Sequence, residues 1–536
     1  MSGATVPTLD WIGKKVVVNH HNEVPFHLLK EVPDLSVGDP GTGNLLIEGD
    51  NLLALKALLP YYAGQVKCVC IDPPYNTGNE NWIYNDNVNS PEIRTWLGKV
   101  VGGELEDLCR HDKWLCMMYP RLCLLREMLH DDGAIFVHID DFEVERLKML
   151  MGEVFGPANH VCTLIWKRRT SPDSRNLNGV SGDHEYVLCY RKGPGLRFRG
   201  SAKDLAKYNN PDNDPDGPWM SDNLTGLANA TERPNLHYDI IDPATGRRFP
   251  PHPSRGWIYG REKMGQLIAA GRILWPVKAG GRPRLKRYLT DMKTETTGFS
   301  TLLDAPGNVS ATKELADILG PKVFTFPKPI GLIAQLVEQA TDKDSVVLDS
   351  FAGSGTTAHA VMTVNRNDGG ARRFILVEMD RDICEKVAAV RLQRVCKGHS
   401  TASGREVEGL GGGFRYCRLG ARCFDQHGRI NPEVSFADLA RHVYFTETGE
   451  PPPPHRRKAG PLIEIHRGTA IYLLFNGTLK DKSADGGNVL TQAVLHSLPP
   501  HNGPKVIYGT ACRISPARRM REKIVFKQIP YEIRVR

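Results

Sequence analysis

Residues 345–378 read SVVLDSFAGSGTTAHAVMTVNRNDGGARRFILVE. Ser345 to Leu348 and Arg373 to Glu378 are short apolar runs with the length of strands buried on both faces, and Thr356 to Val364 between them reads as a helix. Strand, turn, helix and strand in that order form the unit of a parallel α/β sheet. Gly353 and Gly355 at the turn let the backbone approach a ligand closely. The helix that opens behind them offers free N–H groups and a positive dipole end to an anionic group. Glu378 ends the second strand 23 residues after Gly355, the spacing at which an acid reaches the two hydroxyls of a bound ribose. No lysine follows the last glycine, so the loop is not a P-loop. Asp349 to Thr356 with Glu378 therefore predicts a site for a nucleoside-containing cofactor. Thr356 and Thr357 are either cofactor contacts or helix-start residues.

Upstream, Leu45 to Ile47 reads as a strand. Asn51 to Tyr62 follows as a helix with Leu52, Leu55, Leu58 and Leu59 on one face. Val66 to Ile71 (VKCVCI) is another buried strand and stops at Asp72-Pro73-Pro74-Tyr75, because proline cannot donate to a ladder. That tetrapeptide suits chemistry on an exocyclic amine. A carboxylate accepts one N–H, and a backbone carbonyl whose direction a following proline fixes accepts the other. Together they draw the nitrogen lone pair out of the ring and aim it at an electrophilic methyl group. The ring of Tyr75 stacks on the base, which must leave the duplex to be reached. A four-residue turn alone would not carry this reading; the glycine motif beside it does.

Further strand candidates are Ala134 to Ile139, Val161 to Trp166 and Tyr186 to Tyr190. Helices are expected at Trp114 to Leu129, Phe142 to Met151, Leu332 to Gln339 and Cys384 to Cys396, with Ser400 to Gly413 as a loop. The aromatic-bearing stretch Asn76 to Trp96 either closes over a flipped base or lies at a subunit interface. At 536 residues the chain exceeds one core and suggests roughly three or four domains. The expected division is 1–192, an insert at 193–320, 321–400, a connecting segment 401–454 with the stiff proline run Pro451 to Pro454, and a C-terminal domain 455–536.

Hydrophobic residues make up 40% and charged residues 24%, a globular balance. Met1 to Gly13 lacks a signal-peptide pattern. No apolar stretch approaches the ~18 residues of a membrane span, so no membrane association is expected. The 12 cysteines are scattered and form no CxxC pair. Reduced core cysteines in a cytoplasmic protein are expected, and no metal.

The net charge of +8 is unevenly spread. Arg247 to Arg287 holds eleven Lys/Arg and one acid, Glu262, a local +10 that leaves about −2 for everything else. Such a block suggests a polyanion. Arg247, Arg248, Arg255, Arg261, Arg282, Arg284, Lys286 and Arg287 are the candidate phosphate contacts. Phe249, Trp257, Tyr259 and Trp275 among them either stack or pack a core. Arg518, Arg519, Arg521 and Lys523 form a second cluster, which meets DNA or a partner or is a solvated helix end.

The two motifs resemble those of amino-methyltransferases acting on DNA, and their order, D-P-P-Y before F-x-G-x-G, resembles the β-class. The likeness extends from Glu48-Gly49-Asp50-Asn51 through IDPPYNTG (Ile71 to Gly78), FPKPIGLI (Phe326 to Ile333), DSFAGSGTTAHAV (Asp349 to Val361) and RRFILVE (Arg372 to Glu378). Over most of residues 45–400 it is similar to the modification subunits of type III restriction-modification systems.

The resemblance implies an α/β, Rossmann-like methyltransferase sheet with helices on both faces, an inserted target-recognition domain and a small C-terminal domain. It implies S-adenosyl-L-methionine as cofactor and methylation of adenine N6 in double-stranded DNA, since an aspartate at the position of Asp72 usually accompanies adenine. N4-cytosine methylation is the alternative, and a solitary regulatory methyltransferase is another. By the same resemblance Asp72, Pro73, Pro74 and Tyr75 hold the target base. Phe351, Gly353, Ser354 and Gly355 line the methionine end of the cofactor, and Glu378 takes the ribose. Asp50, Asp72 and Asp349 lie near the cofactor, and Lys328-Pro329 completes its pocket; Thr356 remains a candidate cofactor contact. A homodimer and a helicase-nuclease restriction partner are implied, in a bacterial cytoplasm at the nucleoid. The chain carries no Walker-type lysine motif, so it is not itself the motor.

Overall fold

The computed structural model describes residues 8–38, 42–77, 91–102, 109–173, 179–252, 254–278, 280–401, 403–424, 430–431, 433–448, 450, 452, 460–475 and 488–529. The start of Met1 to Gly13, residues 78–90 of the Asn76 to Trp96 stretch, and all of Pro451 to Pro454 except Pro452 lie outside the described residues. The chain forms two compact units, Met1–Arg199 with Ser300–Arg536, and Gly200–Phe299.

The first unit is built on a ten-stranded sheet. Its strands in chain order are His27–Glu31 (β1), Leu45–Glu48 (β2), Val66–Ile71 (β3), Leu129–Ile139 (β4), His160–Lys167 (β5), His184–Arg191 (β6), Leu302–Leu303 (β7), Val346–Asp349 (β8), Arg373–Glu378 (β9) and Arg415–Arg422 (β10). Across the sheet they run β1-β10-β2-β9-β8-β3-β4-β6-β5-β7. From β10 to β4 every neighbour is parallel, whereas β6 is antiparallel to both β4 and β5. The continuous apolar runs follow from this. A parallel strand covered on both faces has no solvent side to alternate toward, and β3 and β8 are almost wholly buried.

Asn51–Tyr62 (α1), Arg110–Met128 (α2) and Val144–Phe155 (α3) pack as one layer, and Ile330–Ala340 (α4) packs with Thr356–Asp368 (α5) as another. Leu52, Leu55, Leu58 and Leu59 of α1 all enter the main core with Trp114, Val137 and Leu348. The chain leaves β8 through α5 toward β9 and leaves β3 through α2 toward β4, in opposite directions. The carboxyl ends of β8 and β3, neighbours at Leu348 and Val69, therefore flank the switch point where ligands bind in doubly wound sheets.

Element boundaries differ from the sequence reading by a few residues. Ser400 to Gly413, read as a loop, contains a short antiparallel hairpin, Gly398–Ser400 with Glu406–Glu408. It shows no apolar alternation, so the sequence gives no strand signal there. The helix over Cys384 to Cys396 starts at Arg381 and passes through a π-helical turn, Cys384–Ala389. The segment from Leu462 onward forms a four-stranded sheet of Leu462–His466, Thr469–Leu473, Lys505–Gly509 and Ile524–Gln528. One side packs on its own cluster of Tyr472, Leu490 and Ile507, while Ile471, Leu473 and Tyr508 join the main core.

The unit Gly200–Phe299 is built from short strands. Trp219–Asp222, Arg284–Tyr288 and Ile273–Leu274 make a small antiparallel sheet. Leu224, Tyr238, Phe249, Trp257, Met264 and Leu285 form its core. The aromatics interleaved with the basic residues are thus largely structural: Trp257 is buried, and Phe249 lies against Trp275 with ring centroids 5.5 Å apart.

Candidate active site

The glycine loop leaves β8 at Asp349, whose buried carboxylate accepts from the Phe351 amide (3.0 Å) and the Thr357 hydroxyl (2.6 Å). Burial pushes the Asp349 carboxyl up to about 7 against the pull of those two hydrogen bonds. Gly353 and Gly355 have φ of 50° and 79°, the left-handed region that glycine enters without a Cβ clash. Glu378, fully buried at the end of β9, accepts from the amides of Gly353 (2.7 Å) and Asp380 (2.9 Å). It ties the loop to the next strand.

Arg391, from the helix after β9, donates to Ser354 Oγ (2.9 Å) and Thr356 Oγ1 (2.8 Å). The Thr356 hydroxyl in turn donates to the Lys328 carbonyl. The hydroxyls of both threonines are therefore engaged with the protein. On the other side of the loop, Asn51 donates to the Ser350 carbonyl and accepts from Arg121, while Asp50 caps α1 by accepting from the amides of Leu52 and Leu53.

β3 ends beside that loop at Asp72. Trp114 of α2 donates its indole N–H to the Pro74 carbonyl (2.6 Å). Asn76, at φ 60°, completes the turn and donates to the buried Glu143. Asp72 Oδ2 accepts from the Lys328 ammonium at 2.7 Å. Asp72 Oδ1 is buried with no hydrogen-bond partner among the described residues. The Tyr75 hydroxyl donates to Glu185 Oε2 (2.9 Å), and Lys328 Nζ lies 5.0 Å from the centre of the Tyr75 ring.

Burial opposes the charge of Lys328, yet Asp72 and Glu185 more than offset it and hold its pKa above the ordinary lysine value. His138 at the end of β4 is also buried, with neither ring nitrogen bonded to a described residue. Burial, with Lys328 nearby, pushes it down to about 3 and keeps it neutral.

One cavity joins the two motifs. Its wall includes Asp72, His138, Lys328, Asp349, Phe351, Gly353, Ser354 and Thr356. Of the residues expected at the cofactor, Asp50, Gly355 and Glu378 lie outside that wall and support it. Among the described residues no cluster of three His, Cys, Asp or Glu could hold a metal ion. The sequence reading missed Glu185, His138, Arg391 and Trp114. Glu185 and His138 were visible only as single charged or polar residues interrupting the apolar runs HEYVLCY and AIFVHI.

The basic candidates divide by environment. Lys286 is buried and pairs with Asp212 (2.6 Å) and Asp214 (2.5 Å), so its charge is neutralised inside the unit. Arg287 pairs with Asp222, and Arg284 donates to Ser221. Arg247 and Arg261 lie over the rings of Phe249 and Tyr238 with exposed side chains, and Arg248, Arg255 and Arg282 are exposed. In the C-terminal cluster Arg518 pairs with Glu522. Among the described residues no helix is long and apolar enough to cross a membrane.

Residues 66–390 match the N6/N4 methyltransferase family model, described as DNA methylase. The chain is 35% identical over 400 residues to the type III restriction-modification enzyme StyLTI Mod subunit of Salmonella typhimurium, covering 71% of this chain and 59% of that one. It is 30% identical over 436 residues to the EcoP15I Mod subunit of Escherichia coli, covering 72% and 66%. To the EcoPI Mod subunit of Escherichia phage P1 it is 30% identical over 500 residues, covering 82% and 74%. The chain thus spans about three fifths to three quarters of the length of these relatives.

Proposed function

The chain belongs to the N6/N4 DNA methylase family, and on that premise we propose that it methylates adenine N6 in duplex DNA with S-adenosyl-L-methionine. The observation that carries the reading is the shared cavity, whose wall holds both Asp72, with its buried and unpartnered Oδ1, and the glycine loop. A buried carboxylate oxygen without a donor is costly unless a ligand supplies one. An amine N–H is such a donor. With one N–H held there, the nitrogen lone pair is turned out of the ring and toward the loop. When bound, S-adenosyl-L-methionine supplies an electrophilic methyl group.

The residues present fit that group. Phe351, Gly353 and Ser354 on the cavity wall would receive its methionine end, with Asp50, Asp349 and Thr356 holding the surrounding backbone; Gly355 and Glu378, behind the wall, would shape the loop on its ribose side. Lys328, expected at the cofactor, reaches Asp72 and so links the two halves of the site. Asp72, Pro73, Pro74 and Tyr75 would hold a base flipped out of the duplex.

Adenine rather than cytosine rests on the aspartate at position 72; the family covers both amines. The exposed arginines of Gly200–Phe299 suit DNA phosphates and make this unit the candidate for target recognition. Relatives named as Mod subunits of type III enzymes support a place in such a system, with a helicase-nuclease restriction partner, a second copy of this chain, and a bacterial cytoplasm. Single-molecule sequencing of DNA from cells expressing the chain tests the reading. N6-methyladenine in a fixed sequence context is the expected result. N4-methylcytosine would move the assignment to cytosine, and unmodified DNA would refute the activity.

A further inference from the structure

Glu185 sits second in β6, the antiparallel strand beside β4. An antiparallel strand brings its start, not its end, to the edge where its parallel neighbours finish: Tyr186 pairs with Ile139, the last residue of β4. Glu185 therefore reaches the carboxyl-end crevice from a strand that carries neither motif. It is buried, and among the described residues the hydrogen bonds and ion pairs of its carboxylate are with Tyr75, Lys328 and Arg168. Oε2 accepts from the Tyr75 hydroxyl at 2.9 Å and lies 3.5 Å from Lys328 Nζ, while Oε1 pairs with Arg168 at 3.2 Å.

Resting on the methyltransferase reading, we propose that Glu185 is a positioning residue. It holds Tyr75 and Lys328 in register with each other, and through Lys328 it fixes which oxygen of Asp72 is left for the target amine.

The physical argument starts from the lysine. A buried ammonium has three donors on a flexible four-carbon stem. With carboxylates on two sides, Lys328 is held against Asp72 Oδ2 and over the Tyr75 ring, and Asp72 Oδ1 stays open. Without Glu185 the only remaining anionic partner of Lys328 among the described residues is Asp72. Its ammonium is then free to straddle both oxygens and to occupy the acceptor that the amine needs. The Tyr75 hydroxyl loses its bond to Glu185 at the same time and is left with Asp72, the other carboxylate beside it, as acceptor. One substitution thus loosens both contacts to the base, although neither Asp72 nor Tyr75 is altered. Among the described residues no hydrogen bond or ion pair joins Glu185 to the glycine loop, so the loop is expected to keep its place.

The test measures transfer of labelled methyl groups from S-adenosyl-L-methionine to unmodified plasmid DNA by the full chain. It uses Glu185→Gln, Glu185→Asp, Lys328→Met and the Glu185→Gln/Lys328→Met double variant. Glu185→Gln is expected to lower kcat about 10- to 100-fold, the cost of loosened alignment, while calorimetric cofactor affinity stays within about twofold. Glu185→Asp, which keeps the charge, is expected to recover part of the rate. In the Lys328→Met background Glu185→Gln is expected to cost less than about threefold more, because the two residues act as one unit.

Equal losses in both backgrounds, or wild-type kcat in Glu185→Gln, would overturn the positioning role alone. No transfer by the wild-type chain would overturn the methyltransferase reading and the inference with it. If Glu185→Gln does not fold, Tyr75→Phe cuts the same link from its other side. A kcat loss of about three- to tenfold is then expected, and an unchanged kcat would count against the proposal.

Discussion

Each unit of this protein buries a lysine between two carboxylates and over an aromatic ring, and the two clusters do different work. In the insert Lys286 lies between Asp212 and Asp214, 4.9 Å from the Trp219 ring centre. In the sheet unit Lys328 lies between Asp72 and Glu185, 5.0 Å from the Tyr75 ring centre. Around Lys286 every carboxylate oxygen is engaged. Trp219 donates to Asp212, and Tyr288 and the Asp216 amide donate to Asp214. Around Lys328 one oxygen, Asp72 Oδ1, is left over and buried. A saturated charge cluster fixes a fold, whereas an unsaturated one beside a cavity is a place for a ligand.

The largest effect should come from that unsaturated oxygen. Asp72→Ala is expected to lower methyl transfer by about 10³-fold or more while calorimetry shows cofactor binding largely kept; near-normal turnover would end the comparison. Tyr75→Ala is next. It should weaken capture of the target base by about 1–3 kcal/mol, read from the fluorescence of 2-aminopurine at the target position.

In the insert the contrast is between exposed and buried charge. Each of Arg248, Arg255 and Arg282 changed to Ala is expected to reduce the slope of log K against log salt by roughly 0.9 if it contacts a phosphate. Lys286→Met should leave that slope alone and lower the unfolding midpoint instead, since it strips Asp212 and Asp214 of their cation. A change in slope for Lys286→Met would mean that its charge reaches DNA after all.

The smallest effect is a pair of opposed pH dependences. Hydrogen bonds from Lys286 and Tyr288 hold Asp214 down at about 2. The folded state thus binds fewer protons there than the unfolded chain, and its contribution is present above about pH 4 and lost on acidification toward 2. Asp349 is raised to about 7, so the folded state keeps a proton that the unfolded chain releases. Its contribution is complete below about pH 4 and lost as pH rises toward 7. Chemical denaturation at pH 5 and pH 7.5 should show a smaller decline in Asp349→Asn than in the wild type.

Much of the site was legible because it is local in sequence. The glycine loop, the tetrapeptide and Glu378 each end a buried strand, and a period-free apolar run followed by turn residues marks such a place. Lys328 was legible only through its family segment. It lines the cavity beside the glycine loop, and its salt bridge to Asp72, across 256 residues, left no mark in the sequence. Glu185 and His138 left almost no trace, because one polar residue in an apolar strand looks the same whether it faces solvent, core or a cavity. The basic block showed the converse. Eleven cations between Arg247 and Arg287 could not reveal that Lys286 is buried and neutralised within the unit, or that Arg272 and Arg287 pair with Asp291 and Asp222.

The sequence by itself determined the strand-turn-helix units, their order, and which residues end at the ligand edge. These follow from periodicity, glycine and proline, which act over a few residues. Only the tertiary structure decided that β3 and β8 are neighbours, that Glu185 arrives from an antiparallel strand, and that Asp72 keeps one oxygen free while Asp212 and Asp214 keep none. Those outcomes depend on hydrogen bonds closed between distant segments. Which lone pair is left over is known only when every donor has found its place.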